Sequence, residues 1–305
     1  MKNRLTQVLM VAFVALMIVG CGGSDSSSEA IEGNDFLVTI KTDFGDMKVI
    51  LYDETPEHKA NFLKLTNEGY FDNLLFHRVI KNFMIQGGDP DSRGAALEQR
   101  LGSGGPDYTI PAEINPDLFH RKGALSAARQ PDQVNPQKAS SGSQFYIVHG
   151  NVTPRAQLEG INQNLIYQAF GQLMQNMPND PLAIEYNEVM AKYPGNNDSI
   201  QAKVDATMDQ LSEKTGIRFE MPEDQIEVYS TVGGYPPLDG GYTVFGQVIS
   251  GLEVIDAIAE VETRNKQVED RPLEDVKMRI TVEEMSRADI QEKFDYKYPV
   301  TAINE

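Results

Sequence analysis

Cysteine and histidine are scarce in this chain of 305 residues, which contains one cysteine, Cys21, and four histidines. A single cysteine cannot form a disulfide within the chain, so the folded state must rely on its hydrophobic core. A chain of this length is large enough to bury such a core. The histidines, His58, His77, His120 and His149, do not stand at the spacing typical of metal ligands. The sequence therefore predicts no metal site.

Positive charge is scarce as well. The chain has 27 Lys and Arg against 45 Asp and Glu, which gives a formal net charge of −18 at pH 7. Nucleic acids and anionic lipid surfaces attract basic proteins, so an acidic chain is a poor partner for either. The acidic residues are spread along the chain, which is typical of a solvated protein surface. We expect a monomer that binds no nucleic acid.

Residues 1–20 have the pattern of a signal peptide. Lys2 and Arg4 precede a continuous apolar stretch over residues 8–19, which is too short to span a bilayer as a stable helix. The stretch leads into Ile-Val-Gly-Cys, which resembles the lipobox of bacterial lipoproteins and predicts lipidation at Cys21. The alternative is a secretory signal that happens to contain a cysteine.

Residues 21–34 begin with small and acidic side chains, and we expect them to form a flexible tether. Several acyl chains on Cys21 would anchor the protein stably in a membrane. Gly22 stands where an Asp would suggest retention in the inner membrane. We therefore expect a lipid-anchored protein of the bacterial cell envelope, at the outer membrane, and leave its periplasmic or surface orientation open.

The most informative segment is residues 76–89, which read Phe-His-Arg-Val-Ile-Lys-Asn-Phe-Met-Ile-Gln-Gly-Gly-Asp. If 78–86 is extended, alternation places Arg78, Met84 and Gln86 on one face. A bend near residues 81–82 could bring Phe83 to the same face. The pattern then predicts a partly apolar surface that carries one permanent positive charge. An ordinary strand with a buried arginine is the alternative.

This segment resembles the signature of the cyclophilin-type peptidyl-prolyl cis-trans isomerases. Three more segments resemble the same family in the expected order: residues 102–113, 141–148 and 238–248. The resemblance implies a mainly β fold, namely a closed antiparallel β-barrel capped by two helices. We expect this barrel to comprise residues 35–150 and 233–285.

Between the two parts of the predicted barrel lies a helical insertion over residues 151–232. Apolar residues spaced three and four apart predict three helices there, each with one apolar stripe. These stripes either pack on one another or on the barrel, or they form a surface for clients. Residues 286–305 are polar and charged, and we interpret them as a surface tail.

The resemblance also implies the chemistry and its residues. It implies isomerisation of X-Pro bonds in proline-containing polypeptides, here envelope proteins, without a cofactor. Arg78 would stabilise the twisted amide, and Gln86 would support Arg78. The other implied residues bind substrate: an apolar proline pocket made by Phe83, Met84, Tyr146 and Leu238, and a bordering groove made by Gln144, Ala128, Arg129 and Tyr242.

Two positions depart from the family pattern. Arg129 replaces a small Asn, and could narrow or charge the groove. Pro237 replaces a tryptophan of eukaryotic members that contributes to cyclosporin binding, which predicts weak affinity for that drug. A different function also remains open at this point: a non-catalytic chaperone or assembly factor that binds clients through the insertion.

Overall fold

The computed structural model describes residues 32–160, 163–194, 197–264 and 270–298. The predicted signal peptide, Cys21 and most of the predicted tether lie outside the described residues, as do residues 299–305. Within the described ranges, no helix has both the length and the hydropathy needed to cross a membrane.

The described chain contains one nine-stranded antiparallel sheet and one small two-stranded sheet. The long strands are β1 (Asn34–Thr42), β2 (Gly45–Leu51), β10 (Val244–Ser250) and β11 (Lys277–Ser286). The short strands are β3 (Leu74–Leu75), β4 (Arg78–Ile80), β5 (Met84–Gly87), β6 (Thr109–Ile110), β7 (Ala124–Ala127), β8 (Ser140–Ser141) and β9 (Phe145–Val148). The large sheet has the order β3-β11-β1-β2-β10-β7-β9-β5-β4, and β6 pairs with β8.

The prediction of a closed barrel is wrong in one respect. The sheet is curled, but no ladder joins its two edge strands, β3 and β4, in the described part of the chain. The two residues between these strands, Phe76 and His77, form no turn, so the chain runs from one edge directly into the other. Strands joined end to end in this way cannot lie side by side as a hydrogen-bonded hairpin, which needs a turn.

Two helices bury their apolar sides in the core of the large sheet, as the sequence predicts. Helix α1 (Pro56–Asn67) starts with Pro at its first position, which suits the fixed φ of proline. Helix α7 (Leu252–Ala259) is the second. Both contribute to one cluster of buried side chains, in which Phe62 of α1 meets Phe145 of β9 edge to face at 5.5 Å between ring centroids.

In the described part of the chain between β9 and β10 there are five α-helices, where three helices were predicted. They are α2 (Arg155–Leu158), α3 (Gln163–Asn176), α4 (Pro181–Lys192), α5 (Asn197–Thr215) and α6 (Glu223–Thr231). The apolar stripes of α3, α4 and α5 pack on one another in a cluster of their own, centred on Tyr186. Helices α2 and α6 form a separate small cluster that includes Tyr229 and reaches Phe119.

The segment predicted as a polar tail contains a further helix, α8 (Arg287–Phe294). Ser286 caps this helix by accepting a hydrogen bond from the backbone N–H of Asp289 at 3.1 Å. Its Ile290 is fully buried against Leu37 and Ile50, which are paired residues of β1 and β2. A single buried isoleucine gives too weak a periodic signal for sequence reading to detect the helix.

Candidate active site

The hairpin of β4 and β5 sets the geometry of the predicted site. Arg78 pairs with Gln86 across the hairpin, which places both side chains on the same face. The predicted bend is the hairpin turn, where Asn82 takes a left-handed φ of 64° that asparagine tolerates. The turn brings the ring of Phe83 under the guanidinium, with 5.9 Å from Arg78 Cζ to the ring centroid.

A chain of hydrogen bonds holds Arg78 in place. Arg78 donates to Gln86 Oε1 at 3.2 Å, and Gln86 Nε2 donates to Gln144 Oε1 at 3.2 Å. Gln144 Nε2 then donates to the carbonyl of Gly104 at 2.7 Å. A guanidinium can only donate and a backbone carbonyl can only accept, so the two ends of the chain fix the orientation of both amides.

The apolar residues predicted for the pocket meet in one cluster beside this chain. Met84 and Tyr146 are buried, with 1% and 5% of their surface exposed, while the remaining predicted members are partly open to solvent. Those partly open members are Phe83, Ala128, Leu238 and Tyr242. The structure thus brings together the four residues predicted for the proline pocket and two predicted for the bordering groove, Ala128 and Tyr242, and their roles in substrate binding stay predictions.

Arg129 does not project a free charge into the groove. Its guanidinium lies over the ring of Tyr242, 4.4 Å from the centroid, and donates to Asp132 at 2.6 Å and to the carbonyl of Gly241 at 2.8 Å. Only 6% of its side chain is exposed. A narrower groove therefore fits this geometry better than a more positively charged groove, because Asp132 offsets the charge of Arg129.

Sequence reading missed four side chains that border the cluster: His120, Tyr229, Tyr235 and Asp239. The ring of Tyr235 packs on Phe83 at 4.5 Å between centroids. His120 is fully buried and hydrogen-bonds to the hydroxyl of Tyr146 at 2.9 Å. Burial raises the pKa of the Tyr146 phenol well above its usual value, so this group is a neutral hydroxyl. The sequence offers no local signal for these contacts.

Within the described residues, no group of three or more His, Cys, Asp or Glu side chains could hold a metal ion. What the arrangement offers is a fixed cation with several N–H donors beside an apolar, partly desolvated surface. Such a site stabilises localised electron density more strongly than water does.

Comparison with known proteins finds one matching family model. The family model "Cyclophilin type peptidyl-prolyl cis-trans isomerase/CLD" matches residues 37–179 and 221–282. The interval left between the two matches, 180–220, is narrower than the insertion predicted over 151–232, so an insertion of that size is not confirmed.

Two relatives illustrate the similarity. A Streptococcus pyogenes serotype M6 protein, named as a bifunctional phosphatase/peptidyl-prolyl cis-trans isomerase, is 32% identical over 242 residues, which cover 78% of this chain. This chain spans only 37% of that protein's length. A Staphylococcus saprophyticus protein, named as a peptidyl-prolyl cis-trans isomerase, is 28% identical over 247 residues, covering 81% of this chain and 90% of its own. A Cryptosporidium parvum cyclophilin type isomerase crystal structure has 21% identity, a TM-score of 0.46, and coverage of 82% of this chain and 98% of its own.

Proposed function

This chain belongs to the cyclophilin-type peptidyl-prolyl cis-trans isomerase family, and from that premise we propose that it rotates X-Pro bonds with Arg78 stabilising the twisted amide. The substrates we propose are proline-containing polypeptides of the cell envelope.

The reaction needs no covalent step. The cis and trans forms of an X-Pro bond differ in free energy by less than about 1 kcal/mol. The barrier to rotation between them is about 18–20 kcal/mol, because the nitrogen lone pair is delocalised into the carbonyl. Rotation localises that lone pair on a pyramidal nitrogen. A catalyst must therefore hold the proline ring, leave the other side free to turn, and direct a donor at the nitrogen.

The observation that carries the proposal is the placement of Arg78. Gln86 fixes its guanidinium, and Phe83 lies 5.9 Å below it. The guanidinium stays charged at any working pH and keeps further N–H groups that a substrate amide can use. The apolar cluster around Met84 offers a surface of suitable character for a proline ring.

The test compares wild type with Arg78→Ala and Arg78→Lys in the cis–trans exchange of a short X-Pro peptide. Loss of a preorganised donor typically costs about 10²–10³-fold in rate, so we expect Arg78→Ala to lower kcat/KM by about 100-fold or more. Lysine keeps the charge but not the planar fork, so we expect an intermediate value.

Arg279→Ala is the matched control, since the Arg279 side chain is 66% exposed on β11 and lies 3.4 Å from Asp72. We expect this variant to retain wild-type activity. If Arg78→Ala loses only a few-fold, the role assigned to that side chain is wrong.

The envelope location is a separate part of the proposal, supported by residues 1–21 of the sequence alone. Expression in a bacterial host with an alkyne-labelled fatty acid tests it. We expect the wild type to incorporate label and to fractionate with membranes, and Cys21→Ser to do neither. An unlabelled, soluble wild-type protein would contradict the lipid anchor.

A further inference from the structure

A line of hydrogen-bonded polar groups, buried except for the partly exposed Asp239, runs from helix α6 to the wall of the apolar cluster. The hydroxyl of Tyr229 on α6 donates to Asp239 Oδ2 at 2.6 Å. Asp239 Oδ1 contacts His120 Nδ1 at 2.8 Å, and His120 Nε2 contacts the Tyr146 hydroxyl at 2.9 Å. Tyr229 and His120 are both fully buried. We call Tyr229, Asp239, His120 and Tyr146 the relay. It links helix α6, which is not part of the sheet, to a residue of the proposed substrate pocket.

The donors and acceptors of this relay can be assigned from its geometry. A carboxylate only accepts, so the proton shared with Asp239 resides on His120 Nδ1. The backbone N–H of His120 donates to the same carboxylate oxygen at 2.9 Å, which fixes the residue as well as its ring. In the neutral imidazole, Nε2 is then the acceptor, and the Tyr146 hydroxyl donates to it.

Ring packing adds to the constraint. The imidazole of His120 lies parallel to the Tyr146 ring, with an interplanar angle of 10° and 6.0 Å between centroids. Tyr242 meets both rings edge-on, at 6.4 Å from His120 and 5.9 Å from Tyr146. Leu238, another pocket residue, directly precedes Asp239 in the chain. His120 thus contacts the rings of two residues of the apolar cluster, Tyr146 and Tyr242, at once.

The backbone joins helix α6 to the same place. Gly234, three residues beyond α6, exchanges hydrogen bonds with Asn151, and Tyr235 N donates to the carbonyl of His120 at 2.8 Å. The segment that follows α6 is therefore hydrogen-bonded to the backbone of His120, the central imidazole of the relay. Displacement of α6 would act on His120 through its backbone as well as through Tyr229.

We propose that Tyr229, acting through Asp239 and His120, positions the ring of Tyr146, so that helix α6 determines the fit of the proline pocket. Tyr229 is a positioning residue in this scheme, because it touches no substrate. The inference rests on the proposed isomerase function.

The test is Tyr229→Phe, which removes one hydroxyl and keeps the ring. The lost hydrogen bond is made to a carboxylate and is worth about 10-fold or more where it forms, but it acts on the pocket only through Asp239 and His120, so we expect kcat/KM to fall by about 2- to 10-fold. The loss should appear as a higher KM with kcat nearly unchanged, because a looser pocket weakens ground-state and transition-state binding alike. Partial unfolding would instead lower kcat and leave KM unaltered.

Tyr186→Phe is the matched control. Tyr186 is also fully buried, and its hydroxyl makes one hydrogen bond, to Thr207 at 2.8 Å, within the cluster of α3, α4 and α5. We expect both kinetic constants of this variant to equal those of the wild type. Tyr146→Phe completes a double-mutant cycle: if the relay operates, Tyr229→Phe adds less than about 2-fold in the Tyr146→Phe background.

The outcomes separate the two proposals. An inactive wild type refutes the isomerase function, whereas an active wild type with unchanged KM in Tyr229→Phe, or with additive effects in the cycle, overturns only the relay. If Tyr229→Phe does not fold, the ¹⁵N spectrum of the His120 ring in the wild type decides. An Nδ1–H tautomer supports the relay, and an Nε2–H tautomer overturns it.

Discussion

The hydrogen bond between Gln86 and Arg78 should be worth about a factor of ten in catalysis. Replacing Gln86 with Leu keeps the side-chain size but removes the oxygen that accepts from Arg78 at 3.2 Å. Hydrogen bonds to charged groups contribute about 1.5–3 kcal/mol, and a distance at the long end of the usual range favours the lower figure. Since about 1.4 kcal/mol is tenfold, we expect kcat/KM to fall about 10-fold in Gln86→Leu.

Two further variants locate the effect. Gln99 is an exposed glutamine whose Nε2 donates to the carbonyl of Asp91 at 3.2 Å, so Gln99→Leu removes a glutamine hydrogen bond of equal length that does not involve Arg78. We expect it to be neutral. Gln144→Leu leaves the contact between Arg78 and Gln86 intact and should cost less than Gln86→Leu. The assay is cis–trans exchange of an X-Pro peptide by NMR, and a Gln86→Leu rate within twofold of wild type would refute this reasoning.

Three other predictions concern the rest of the molecule. Replacing residues 160–220, which contain α3, α4 and α5, with a short Gly-Ser linker should leave the rate of peptide isomerisation within about twofold of wild type. The reason is that the hydrophobic cluster of these helices shares no member with the pocket. A large loss would instead favour a functional surface on these helices. Burial lowers the pKa of His77 from 6.5 to about 4, so the unfolded state binds more protons between these values. Stability should therefore fall by about 3 kcal/mol as the pH drops through this interval, and urea unfolding should show a shallower dependence in His77→Leu. Gly150→Ala should lower the free energy of unfolding in urea more than Gly216→Ala does. Both glycines have positive φ, of 60° and 70°, but a Cβ at 150 would lie 2.3 Å from the carbonyl oxygen of Gly234, whereas a Cβ at 216 would meet open space. Equal losses of unfolding free energy would contradict this steric argument.

The parts of the site that the sequence predicted are those set by local geometry. The segment containing Arg78 and Gln86 is one hairpin, so the period of two in a strand and one turn are enough to place both residues on one face. The same period separates the neighbours Tyr146 and Phe145 of β9, which lie in the apolar cluster beside Arg78 and in the main core, respectively. Helix α1 is also marked locally, by Pro56 at its first position.

The missed features depend on contacts between distant residues. His120 and Tyr146 are 26 positions apart, and Tyr229 is 10 positions from Asp239, so no local period relates these pairs. Residues 119–121 repeat the Phe-His-Arg triplet of residues 76–78, but the match extends no further and gave no indication of the role of His120. Whether the sheet closes depends on the path between β3 and β4, which is a matter of tertiary geometry rather than of side-chain pattern.

The two polar chains of the site converge on a single strand. Gln144, just before β9, carries the chain that ends on Arg78, and Tyr146, two residues later and on the same face, carries the relay from α6. A one-residue slip of β9 would turn both side chains away. Gly88 helps to fix this register, because a Cβ there would lie 2.1 Å from the carbonyl oxygen of Ser143, and the Ser143 hydroxyl donates to the Gly88 carbonyl at 2.8 Å. Gly88 thus serves the site indirectly. It lets β9 approach closely enough for Gln144 to support the hydrogen-bond chain to Arg78 and for Tyr146 to join the pocket wall.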